Sequence, residues 1–272
     1  MNMSRAISLT VGLAVLAGAC FKVPYTNRKA LNLVPDKLMI SLSLSSYDGM
    51  LADEKIQKTG EDKELLDRVG QRIAHQANRK DYDWEYALIK DDETINAWAL
   101  PGGKIAFYSG IEPVLKNEAG MAFVMGHEVG HAIARHGAER MSQQIAVLGG
   151  LGGAYVLMEA KTQLDVKQKV AVLAAAGAVT ELALILPFSR AHESEADVIG
   201  TMFMAGAGYP PDEAVKLWGR MERKTGGSAV PAFMSTHPSN EKRQDVIREW
   251  LPQANKRYER NKLTKDTLTA LW

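Results

Sequence analysis

The chain has 272 residues, of which 46% are hydrophobic and 24% charged, and its formal net charge is +1. Those proportions describe an ordinary globular chain long enough to bury a sizeable core. They give no sign of a nucleic-acid footprint or an acidic tail. One cysteine excludes an intrachain disulfide and, beside six histidines, a cysteine-rich metal site.

At the N-terminus, Arg5 precedes an apolar run from Ala6 to Gly18. The run has the length of a signal peptide and is short for a bilayer span. It ends in Leu16-Ala17-Gly18-Ala19-Cys20, which resembles the lipobox of bacterial lipoproteins with Leu16 one place early. Residues 1–19 are expected to be a signal peptide and Cys20 the lipidated new N-terminus. The alternative is cleavage near Ala19 that leaves Cys20 as a thiol. Either reading exports the protein and puts it on the periplasmic side of a cell envelope, as an outer-membrane lipoprotein if lipidated. Residues 20–59, weakly patterned from 21 to 47, read as a lipid-anchored tether and adaptor.

Leu65, Leu66, Val69, Ile73 and Ala77 recur at a helical period, which predicts a helix over 61–80. Strands are expected at 83–89, 94–99 and 104–109, with Pro101-Gly102-Gly103 turning between the last two. A helix follows over 118–140. Residues 145–186 are apolar and rich in Gly and Ala. Within them, 170–188 is nearly long enough to span a membrane, but Glu181 and Pro187 favour a buried helix or hairpin. Gly149, Gly150, Gly152 and Gly153 suggest a lid or flexible loop within 148–169. Helices are expected at 212–224 and 239–250, and 253–272 reads as a polar tail.

His127-Glu128-Val129-Gly130-His131 lies inside the 118–140 helix. Histidines four apart share one helix face, so both imidazoles can reach one metal ion. Glu128 lies beside them, close enough to take a proton from a water that the metal activates. A catalytic zinc needs a third protein ligand. The third histidine of a metzincin is missing, because position 137 is Gly; His136 reads as a surface or capping residue. Downstream, Glu193 and Asp197 are four apart on a helical stretch. One carboxylate can ligate the metal while the other holds a ligand histidine. Equally, the acids can serve only the dipole of a helix start.

H-E-V-G-H followed by Ser189-Arg190-x-x-Glu193-x-Glu195-Ala196-Asp197 resembles the family of zinc endopeptidases that includes the CAAX prenyl protease, HtpX, Oma, BepA and LoiP. Asn96-Ala97-Trp98-Ala99-Leu100-Pro101-Gly102-Gly103 and Thr236-His237-Pro238 with Arg243 extend the resemblance over most of residues 60–250. It implies an α+β, mostly helical, zincin-like metallopeptidase domain over 60–252, with a small antiparallel sheet packed against the H-E-x-x-H helix. One Zn2+ per chain would be held by His127, His131 and Glu193, with Glu128 as general base and Asp197 behind a ligand histidine. The strand of Asn96, Ala97, Trp98 and Ala99 would be the edge on which an extended substrate adds. His237 would either stabilise the oxyanion or swing onto the zinc. Arg190 and Arg243 are expected in structural salt bridges. The implied activity is cleavage of unfolded or misassembled envelope proteins, without nucleic acid. The competing readings are an envelope chaperone with latent or no proteolysis, and a purely structural zinc site.

Overall fold

A computed structural model describes residues 20–169, 172–173, 176, 186–225, 232–237 and 242–262. Residues 1–19, where a signal peptide was expected, most of 170–188 and the end of the tail lie outside the described residues.

The chain begins with a hairpin of β1 (Cys20–Lys22) and β2 (Lys29–Leu31), in which Phe21 faces Ala30. Helix α1 (Asp36–Leu51) follows. Neither element was legible in the weak patterning of 21–47. The reason is visible in α1: it buries Ser43 and Tyr47 while Leu38, Leu42, Leu44 and Met50 stay exposed, so no clean apolar stripe marks it.

Strand β3 (Ile56–Gln57) and helix α2 (Glu61–Ala77) come next. Helix α2 buries Leu66, Val69 and Ile73, the expected stripe, and ends at Asn78 in the left-handed conformation. Strands β4 (Glu85–Ile89), β5 (Ala97–Leu100) and β6 (Lys104–Tyr108) complete a four-stranded sheet in the order β3-β4-β6-β5. Two of its pairings are antiparallel and β4–β6 is parallel. The turn at Gly102 and Gly103, both at positive φ, folds β5 to the outside of β6. That leaves β5 as an edge strand.

A 3-10 turn (Ser109–Ile111) and α3 (Glu112–Leu115) lead to α4 (Glu118–Ile133). Asn117 caps α4: its Oδ1 accepts the Gly120 N–H at 2.8 Å. From Gly120 to Ile133 every residue of α4 except His131 is buried, so this helix is the axis of the core. The expected continuous helix to residue 140 breaks instead. Arg135 is left-handed (φ 58°), and α5 (His136–Lys161) starts in a new direction. Helix α5 runs through Gly149, Gly150, Gly152 and Gly153, where a lid was expected, and a Cβ at any of them would meet open space.

Helix α6 (Leu186–Gly206) packs along α4. Helices α7 (Asp212–Thr225), α8 (Ala232–Thr236) and α9 (Lys242–Asn261) close the chain. Helix α9 passes the expected end near 250 because Ile247 and Ala254 stay buried, Ala254 against Met202 and Ala205 of α6. The architecture is α+β and mostly helical, with the sheet packed on the motif helix, as expected. Among the described residues, no helix is long and apolar enough to cross a membrane.

Candidate metal centre

Helices α4 and α6 meet backbone to backbone. A Cβ at Gly200 would lie 2.7 Å from the His127 nitrogen, and one at Gly126 would lie 2.9 Å from the Gly200 oxygen. Glycine alone permits this crossing. It carries Glu193 and Asp197, on the α6 face shared with Gly200, directly over His127 and His131.

Four side chains converge there: His127, His131, Glu193 and His237, with their ligating atoms within 4.8 Å of one another. His127 Nε2 is 3.1 Å from His131 Nε2 and 3.4 Å from Glu193 Oε2, and His131 Nε2 is 3.4 Å from Glu193 Oε1. His237 Nδ1 is 3.2 Å from His127 Nε2 and 3.0 Å from Glu193 Oε2. Donors bound tetrahedrally at zinc distances are about 3.3–3.4 Å apart, so the spacing suits such an ion. The donor set of imidazoles and a carboxylate suits it too. Glu128 Oε1 is buried without a hydrogen-bond partner, 3.3 Å from His237 Nε2.

Asp197 and Arg243 support this group from behind. Asp197 Oδ1 lies 2.9 Å from His127 Nδ1. Arg243 grips the same carboxylate with Nε at 2.6 Å and Nη2 at 2.8 Å, and its guanidinium lies 3.8 Å over the Trp218 ring. The expected salt bridge of Arg243 is therefore present, and it is buried; Arg190 is exposed.

The electrostatics follow from burial and these neighbours. Burial alone would lower His127, but the carboxylates of Asp197 and Glu193 outweigh it and raise the imidazole to about 9. Burial also pushes the Glu128 carboxyl up. Glu193 would likewise rise, yet His131, His127 and His237 hold it well below the usual carboxylate range. Arg243 and His127 keep Asp197 low against the same penalty. Burial drives His131 well below its ordinary value.

His136 is not a surface residue. It is fully buried, with Nδ1 2.9 Å from His131 Nδ1 and Nε2 3.0 Å from Glu195 Oε2. Continued helix geometry would have turned it away; the left-handed Arg135 folds it back under His131. Burial lowers it to about 4. Glu195 lies two residues beyond Glu193 and so on the other side of α6. Its contacts are tertiary and no local pattern announces them.

Of the expected substrate strand, Ala97 to Ala99 fall in β5 and Asn96 immediately precedes it. Ala97 and Ala99 face the main core, whereas Trp98 packs on the opposite sheet face against Ala87, Ile89, Ala106 and Tyr47. Trp98 therefore does not line the metal group. A cleft of about 230 Å³ between α1, the end of β5 and the α4–α5 junction reaches His131. A larger hollow of about 910 Å³ between α2 and β4 includes none of the metal group. Helix α8, which carries His237, is tied to the start of the edge strand by the Phe233 N–H donated to the Ile95 carbonyl at 2.9 Å.

Residues 61–251 match the model of peptidase family M48. The mitochondrial metalloendopeptidase OMA1 of Schizosaccharomyces pombe is 35% identical over 255 residues, covering 92% of this chain and 71% of its own length. The OMA1 of Saccharomyces cerevisiae is 29% identical over 269 residues, covering 95% and 68%. The beta-barrel assembly-enhancing protease of Escherichia coli is 28% identical over 186 residues, covering 66% of this chain and 37% of its own length. The relatives that span nearly all of the chain are mitochondrial, and this overturns the expected periplasmic, outer-membrane placement. They lend no support to a bacterial signal peptide or to lipidation of Cys20. The physical cause of the error is that a short apolar run before a cysteine specifies very little.

Proposed function

The chain belongs to peptidase family M48 and is a metalloendopeptidase, and on that premise we propose that it cleaves extended, unfolded or misassembled proteins using one Zn2+ held by His127, His131 and Glu193. In this reading residues 60–252 are the catalytic unit. The observation that carries it is the convergence of those donors beside the buried carboxylate of Glu128, whose Oε1 makes no hydrogen bond.

A zinc ion held there would supply a Lewis acid that acidifies water and polarises the scissile carbonyl. Glu128 takes the proton of the attacking water and returns it to the leaving amine. Its raised pKa suits it to carry that proton. Asp197 accepts the Nδ1–H of His127, which leaves the Nε2 lone pair facing the centre. The outer edge of β5 offers backbone groups to one more strand. Only extended chain can pair there, which favours substrates without stable structure. His237 Nδ1 stands among the donors, which supports a resting form in which His237 would join His127, His131 and Glu193 in holding the ion. A peptide is admitted once that imidazole withdraws, and it can then face the developing oxyanion.

The test is a digest of casein or another unfolded protein by wild type and Glu128→Gln, each with its zinc content measured. Loss of the general base should slow cleavage by about 10²–10⁴-fold with zinc retained. Equal cleavage by both would overturn the protease mechanism.

A further inference from the structure

His131 receives support that comes from outside the family-matched region. We propose that Arg28, acting through Glu195 and His136, positions His131 as a metal ligand, so that the N-terminal hairpin forms part of the metal centre. The inference rests on the reading of His131 as a ligand and adds three positioning residues to it.

The tautomers follow one from another. Only a bare ring nitrogen can face a metal, so His131 keeps Nε2 free and carries its hydrogen on Nδ1. That N–H points at His136 Nδ1, 2.9 Å away, which must therefore accept. His136 then carries its hydrogen on Nε2 and donates it to Glu195 Oε2 at 3.0 Å. The carboxylate of Glu195 is held in turn by Arg28, through Nε at 2.9 Å and Nη2 at 2.7 Å, and by the Thr26 hydroxyl. Any other assignment leaves two hydrogens or two lone pairs opposed inside a buried site.

The anchor is rigid. Arg28 also binds both oxygens of Glu139, each at 2.8 Å. His192 contacts Glu139 Oε2 at 3.0 Å and stacks on His136 with ring centroids 4.2 Å apart. His136, His192, Glu139 and Glu195 are all at most 6% exposed. Thr26 and Arg28 lie in the connection from β1 to β2, before the matched residues 61–251. A group that orients a ligand histidine typically contributes 10–100-fold in metal affinity.

The experiment measures Zn2+ affinity of the full chain by competition with a chromophoric chelator, together with the melting temperature of the metal-free protein. His136→Leu should bind zinc about 10–100-fold more weakly. His136→Asn, whose Oδ1 can accept where Nδ1 did, should recover most of that loss. Arg28→Gln should weaken binding by up to about tenfold. A purely structural role would let affinity follow the melting temperature, and Asn would then rescue no better than Leu; that result overturns the proposal. So does binding within about twofold of wild type in both His136→Leu and Arg28→Gln. If His136→Leu does not fold, the partly exposed Arg28 decides alone. His131→Ala is the control: if it binds zinc like wild type, the metal site itself is misassigned, whereas loss in His131→Ala alone removes only the relay.

Discussion

The two histidines of one helical turn are held in unequal ways. His127 meets a carboxylate directly, and Asp197 and Arg243 behind it are 0% and 1% exposed in their side chains. His131 meets a second imidazole first, and its carboxylate is anchored by Arg28, whose side chain is 28% exposed. The first arm lies wholly within the family-matched residues and the second ends outside them. The same i,i+4 motif thus draws on the core for one histidine and on the periphery for the other. The short arm should be indispensable to folding and the long arm adjustable.

The largest effect expected from this difference is on the short arm. Arg243→Met removes the cation from a fully buried carboxylate, and breaking such a pair costs about 3–5 kcal/mol. Urea denaturation of the metal-free protein should show that loss; a change within the error of the method would mean the two arms are alike. Gly200→Ala tests what the arms share. Its Cβ would press on the His127 backbone at 2.7 Å, and overpacking of this kind costs about 1–3 kcal/mol. It should also lower zinc content, because α4 and α6 part at that point. Arg28→Gln, at a side chain 28% exposed, should cost folding less than Arg243→Met while still weakening zinc binding. A folding loss equal to that of Arg243→Met would erase the distinction.

Legibility followed the range of each interaction. His127, Glu128 and His131 are local, and helical spacing alone brings them together. Glu193 and Asp197 could be placed on one face of a helix, but their partner was visible only through resemblance. Gly126 and Gly200, which make the crossing possible, stand in the sequence without any sign that they oppose each other. His136 was misread because one left-handed residue, Arg135, cancels the helical extrapolation. Arg28 has no local signal, since its partners Glu139 and Glu195 are 111 and 167 residues away. Edge strand β5 was found by its turn, whereas the parallel β4–β6 pairing is a choice of neighbour that strand patterns do not encode.

The pH dependence carries the clearest sign, because the arms impose opposite slopes on the metal-free protein. His127 is raised from 6.5 to about 9, as the carboxylates outweigh burial. The folded state then holds that proton more tightly than the unfolded one, so its contribution is whole below about 6.5 and fades as pH rises through about 9. His136 is lowered by burial from 6.5 to about 4. There the unfolded chain takes the proton first, so stability is undiminished above about 6.5 and falls as pH drops toward about 4. Asp197→Asn should therefore flatten the alkaline limb of a stability–pH curve and leave the acid limb. His136→Asn should shrink the acid limb, to which the lowered His131 also contributes, and leave the alkaline limb. Urea midpoints measured across both windows decide the matter, and a variant that flattens the wrong limb would show that the two arms are one coupled network.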